Sequence, residues 1–221
     1  MSKQRVIAYI DGFNLFYSSL KGTGYKWLDI ASLCESMLMP DQELVSVKYF
    51  SALVGSFKGD SSRTDRQRFY LEALRTNPKI EVKLGYFSTH EVKMPQAEDF
   101  RKGKITLVDV VKTEEKGTDV NLAVQMAVDA VRNEFDYAML FSNDSDMAYA
   151  VQIASRECGK KVGLYIARKA VSFKVLRENI CYVRSLTPNL LAAHQFPDEI
   201  KTSSSRVIKK PRDWYCVSPF H

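Results

Sequence analysis

VIAYIDGFN (residues 6–14), KGTDV (116–120) and YAMLFSNDSD (137–146) are the stretches on which the fold of this chain is read. In the first and third, an apolar run of strand length ends in polar residues and an aspartate. Continuous apolar runs of this length mark strands buried on both faces, the kind found in parallel sheets. A carboxylate at the tip of such a strand has its backbone fixed by the sheet. Several tips at one edge can bring distant carboxylates together.

Working outward, β-branched and aromatic runs at 5–10, 44–53, 80–87, 137–141, 161–166 and 181–185 alternate with helical patterns. Asp29 is placed to N-cap IASLCESML, 63–76 reads as an amphipathic helix, and 120–132 is apolar on nearly every side, which predicts a well-buried helix. This βα alternation predicts an α/β domain with a mostly parallel sheet and helices on both faces. Its extent is read as 1–187. Residues 88–116 are less regular and read as a hairpin or insertion near the site. Residues 188–221 read as a basic C-terminal extension without periodicity, in which Trp214 and Tyr215 could dock.

Composition narrows the function. The 221 residues are 45% hydrophobic and 26% charged, as expected of a globular chain, and carry a net charge of +6. Positive charge overall, with acidic motifs at the strand tips, favours a polyanionic partner. Cys34, Cys158, Cys181 and Cys216 show no CxxC pair, and the three histidines do not cluster, so no zinc site is expected. The apolar run before Asp11 is too short for a signal segment and no stretch approaches a membrane span, so a cytoplasmic protein with no membrane partner is expected.

Aspartates with open positions for water and phosphate suit Mg²⁺ or Mn²⁺, which can acidify a water and neutralise a phosphodiester in the transition state. Asp11 is one expected ligand, with Asn14 turned back toward the same pocket. Asp119 opens a helix, where an anion is favoured. Asp144 is the expected metal-facing residue of the third motif, flanked by Ser142 and Asn143. Asp146 is read either as a ligand of a second ion or its water, or as a helix cap working through Arg156. Asp11 and Asp119, taken singly, also read as caps.

The three motifs in this order resemble the NYN domain family, related to the PIN-like nucleases, over residues 5–185. DGFN resembles that family's opening DGxN, KGTDV its KGVDV-like segment, and SNDSDM its SGDSDF-like segment. The resemblance implies a PIN-like, Rossmann-like three-layer sandwich of about five parallel strands with the first central. It also implies Mg²⁺- or Mn²⁺-dependent hydrolysis of RNA, in which Asp11, Asn14, Asp119, Asp144 and Asp146 are the catalytic set. Cutting within the RNA strand is expected. The aspartates of that set would hold the metal, and a homodimer that lines up two acidic pockets is compatible with it. The sequence departs from the pattern at Asn143, Met147 and Gln125, the last standing where relatives carry another aspartate. Substrate contacts are expected from Lys112, Lys116, Ser142, Asn143, Arg168, Lys169 and Lys174. Phe13, Phe16 and Tyr17 could stack on bases, although their helical spacing also suits core packing.

Rival chemistries lack their residues. An aspartyl phosphatase wants a second aspartate where Phe13 stands, and no GxGxxG or GxxxxGK[ST] loop occurs for a dehydrogenase or NTPase. The alternative left standing is a noncatalytic RNA-binding or regulatory protein on the same fold.

Overall fold

The computed structural model describes residues 2–55, 62–167, 177–202 and 205–215. The central sheet has seven strands: β1 (Gln4–Asp11), β2 (Gln42–Ala52), β3 (Ile80–Pro95), β4 (Leu107–Lys116), β5 (Tyr137–Phe141), β6 (Lys161–Ile166) and β7 (Tyr182–Ser185). Their order is β4-β3-β2-β1-β5-β6-β7, parallel throughout except for the antiparallel β3–β4 pair. The expected first strand is therefore central. The sheet exceeds the expected five strands because β4 and β7 extend its two edges.

β1 is entirely buried from Val6 to Asp11 and bonds to β2 on one side and β5 on the other. The chain leaves β1 toward β2 and leaves β5 toward β6, in opposite directions across the sheet. This is the switch point at which open α/β sheets form a crevice.

Helices α1 (Gly12–Leu15), α2 (Ile30–Ser36) and α3 (Ser62–Leu74) precede α4 (Ala97–Arg101) of the hairpin, then α5 (Thr118–Val131), α6 (Ala148–Gln152) and α7 (Pro188–Ala193). α1 runs on as a π-helical turn over Phe16–Leu20. Asp29 caps α2 as expected, its carboxylate accepting from Ser32 N at 3.1 Å. Two apolar clusters cover the two faces of the sheet. One is built around Trp27, Leu33, Tyr70 and Phe141; the other around Tyr9, Leu122, Met126 and Phe135.

Two expectations need correction. α5 is not buried all round: Leu122, Met126 and Ala130 face the sheet, but Val120, Val124 and Val131 are exposed. A helix laid on one face of a sheet covers one stripe only, whatever its opposite side contains. The stretch after residue 187 is not a plain basic tail. It forms α7, a small hairpin of β8 (Glu199–Lys201) with β9 (Val207–Lys209), and a 3₁₀ turn at Arg212–Trp214. Leu191, Phe196, Ile208 and Trp214 pack onto the first cluster, and Trp27 donates its indole N–H to Pro197 O at 2.9 Å. Trp27 is fully buried, and this segment supplies part of its cover.

Candidate functional site

A cavity of about 890 Å³ opens at the switch point. Asp11, Asn14, Asp119 and Asp144 all line it. Asp11 ends β1 and is 4% exposed. One of its oxygens accepts from Asn14 N at 2.8 Å and the other from Ser142 Oγ at 3.0 Å. Gly12 is required next to it, because a Cβ there would lie 2.7 Å from the Tyr49 hydroxyl and 2.8 Å from Phe50 O. Burial pushes the Asp11 carboxyl up, partly opposed by the Asn14 and Ser142 bonds.

The tips of β1 and β5 are laced together. Ser142 Oγ donates to Asp11 and accepts from Asp144 N at 3.2 Å, while Asn14 Nδ2 donates to Asn143 Oδ1. Ser142 thus ties the Asp11 carboxylate to the Asp144 backbone, and Asn143 ties the tip of β5 to Asn14. Asp144 Oδ1 accepts from Asp146 N at 2.9 Å, so Asp144 is the cap of the turn that follows. Asp146 neither caps it nor pairs with Arg156, which lies 3.9 Å from Glu178. It is exposed, outside the cavity lining, yet its charge reaches Asp119.

Asp119 lies in the first turn of α5 but does not cap it. Gly117, at φ 93°, occupies the cap position, and Glu115 Oε1 accepts from Thr118 N at 3.0 Å. Among the described residues Asp119 has no hydrogen-bond or ion-pair partner. Burial pushes its carboxyl up to about 6, reinforced by the charges of Asp11, Asp144, Glu115 and Asp146.

The far wall comes from the β3–β4 hairpin. Phe87 pairs with Glu115 and Thr89 with Thr113 across the two strands, and all four line the cavity. Strand alternation then sends Lys112, Glu114 and Lys116 to the opposite face. There Lys112 and Lys116 both pair with Glu114, at 2.5 and 3.1 Å, and hold its carboxyl at about 2. These two lysines are not brought to the cavity. Arg168, Lys169 and Lys174 lie outside the described residues. Phe13 and Tyr17 line the cavity, and Phe13 meets Phe87 edge-on at 5.9 Å. Gln125 is turned away, donating to Asp129 at 2.9 Å, and Met147 is buried in the second core cluster.

Glu115 and Arg63 also line the cavity and were not singled out from sequence. Glu115 was legible in principle: in KTEEK, every second residue of a strand faces one way. The strand-like apolar run ITLVDVV stops at residue 111, whereas β4 continues to Lys116. Arg63 comes from α3, and its approach to β1 depends on tertiary packing.

The donor set is all oxygen, which suits a hard cation rather than zinc. Among the described residues no three His, Cys, Asp or Glu side chains stand close enough to enclose an ion as they are. An ion here would take part of its coordination from water, as Mg²⁺ ordinarily does. The concentration of like charge around the unpaired Asp119 favours such an ion.

Sequence comparison matches the NYN domain over residues 5–186. The chain is 29% identical over 237 aligned positions to 6-hydroxy-3-succinoylpyridine 3-monooxygenase HspA of Pseudomonas putida, with 96% of this chain and 75% of that protein covered. Among solved structures it resembles a protein of unknown function from Vibrio parahaemolyticus, with a TM-score of 0.54 and 17% identity over 85% of this chain and 95% of that one. That likeness bears on the fold.

Proposed function

Because this chain belongs to the NYN domain family, within the PIN-like nuclease superfamily, we propose that it is a Mg²⁺- or Mn²⁺-dependent ribonuclease. The observation that carries the reading is the convergence of Asp11, Asp119 and Asp144 on one open cavity, none of them ion-paired with a described residue. These three would hold the ion, with Asp146 at its margin. When bound, it would supply an acidified water and neutralise charge on the phosphodiester.

The chain's own residues do the rest. Ser142 and the Asn14 backbone fix both oxygens of Asp11, so its lone pairs are presented in one orientation. Asn14 and Asn143 lock the two strand tips at a set spacing. Arg63, without an ion pair among the described residues, lines the same cavity and can bind a phosphate. Phe13 and Tyr17 offer ring surface for an unstacked base.

The test is cleavage of labelled total RNA by wild-type protein and by Asp144→Asn, each with Mg²⁺, Mn²⁺ or EDTA. Loss of cleavage on chelation and on substitution is the expected result. Salt-sensitive binding without cleavage by either protein would move the assignment to a noncatalytic RNA binder.

The 29% identity to a protein named as a monooxygenase of a substituted pyridine supports a second reading, hydroxylation of a heteroaromatic acid. The aromatic residues along the acidic cavity are compatible with such a substrate. Incubation of that pyridine with the protein, isotopically labelled dioxygen and a reduced electron donor, followed by mass spectrometry for labelled oxygen in a pyridine product, with or without its side chain, separates this reading from the first.

A further inference from the structure

Beside the acidic cavity lies a second one, of about 240 Å³, between the turn after β1, α3 and the C-terminal segment. Phe13, Tyr17, Val54 and Arg63 line both, so the two adjoin. The inner walls of the smaller one are rings: Phe16, Tyr49, Tyr70 and Trp214. Trp214 stands 5.9 Å from Tyr70 and Tyr70 6.2 Å from Tyr49, both edge-on.

At roughly 30 Å³ per water the space equals about eight waters, less than a drug-sized ligand needs but enough for one ring system. Among its polar liners, which include Ser51, Gln67 and the Arg66–Asp213 pair, is the Tyr49 hydroxyl. Tyr49 is 6% exposed, lines the cavity, and makes no hydrogen bond with any described residue. The hydroxyl opens on the cavity, so a ligand there can take its hydrogen bond in place of water. The nearby Arg66 is already paired with Asp213 at 2.8 Å. Arg63, at the junction of the two cavities, has no such pair among the described residues.

We propose that the smaller cavity binds a single planar heteroaromatic ring, hydrogen-bonded to the Tyr49 hydroxyl, with an anionic group attached to the ring directly or through a sugar at Arg63, facing the acidic cluster. The ring is either a base of a nucleotide in RNA or a free heteroaromatic acid. Its placement next to a reacting centre rests on the reading of the acidic cavity as catalytic. The C-terminal segment thereby gains a role, because Trp214 closes one side of the ring site.

Isothermal titration calorimetry tests this with uridine and adenosine 5′-monophosphates, uridine, and 6-hydroxypyridine-3-carboxylate as probes. The proteins are wild type, Tyr49→Phe, Arg63→Gln and Trp214→Leu, each checked for folding by circular dichroism. Wild type is expected to bind at least one anionic probe saturably, and Tyr49→Phe to weaken it up to about tenfold through the lost hydrogen bond. Arg63→Gln should weaken the anionic probes but not uridine. Preference for the monophosphates identifies a nucleotide as the source, and preference for the pyridine a free acid.

No saturable binding of any probe at millimolar concentration, or binding equally strong in all three variants, overturns the proposal. RNA cleavage is read separately. Cleavage without probe binding sinks the ring site and spares the nuclease, whereas probe binding without cleavage does the reverse.

Discussion

Asp129 and Asp119 stand on the same helix and meet opposite electrostatic surroundings. Asp129 is 3% exposed and fully answered: Lys48 Nζ lies at 2.6 Å, the Tyr9 hydroxyl donates at 2.7 Å, and Gln125 donates at 2.9 Å. Asp119, at the other end of α5, faces the charges of Asp11, Asp144 and Glu115 and is ion-paired with no described residue. Burying a charge is tolerated when it is paired and hydrogen-bonded. The first cluster is closed and structural. The second is left open, and its surplus negative charge is what an external cation would neutralise.

The largest expected effect comes from opening the closed cluster. Lys48→Met would leave Asp129 buried without its counter-ion, costing about 3–5 kcal/mol of stability. Urea denaturation measures this, and cleavage per folded molecule should be unchanged. A loss below about 1 kcal/mol would mean that Tyr9 and Gln125 suffice, and the contrast between the clusters would fall.

The converse substitution acts on the open cluster. Asp144→Asn or Asp11→Asn should reduce RNA cleavage by at least about a hundredfold, since loss of residues that merely support a metal ligand already costs 10–100-fold. Asp144→Asn should leave the thermal midpoint nearly unchanged, because it keeps the acceptor for Asp146 N and removes like-charge repulsion, whereas Asp11→Asn loses one of two buried acceptors and should lower it. Cleavage that survives both would detach the acidic cavity from catalysis.

A titration sharpens the comparison further. Asp119 is held at about 6, against about 3.9 for an unfolded aspartate. Between these values the folded state keeps a proton that the unfolded state has released, so stability falls as pH rises through this window. Thermal melts in EDTA should show that decline in wild type, and show it reduced in Asp119→Asn. Mg²⁺ should offset it, most strongly above pH 6. Equal slopes in the two proteins would refute the electrostatic account of the site.

How far the sequence disclosed all this follows from which interactions are local. β1 and β5 were legible because an apolar run ending in an aspartate needs no partner to be recognised, and the Asp29 cap because it acts three residues away. Asp11, Asn14, Asp119 and Asp144 were legible by pattern, and they share one cavity. The division between Asp119 and Asp129 was hidden, since it depends on Lys48 arriving from β2 and Tyr9 from β1. The role of residues 188–215 was hidden too: single residues such as Phe196, Ile208 and Trp214 complete a core assembled elsewhere, without a period of their own.

The smallest expected effect concerns the two lysines that sequence placed at the substrate. Charge count alone would have each of them bind phosphate and shift the salt dependence of RNA affinity. Their strand register argues otherwise. Lys112 and Lys116 share the face of β4 that points away from Thr113, Glu115 and the cavity, and both are engaged with Glu114. Replacing both with alanine should therefore change RNA affinity and the slope of its salt dependence by less than one phosphate contact, about 0.9 in log–log slope. A filter-binding series across salt concentrations measures the slope. A larger change would mean that RNA crosses the hairpin on the outside, and that the path of the substrate extends well beyond the acidic cavity.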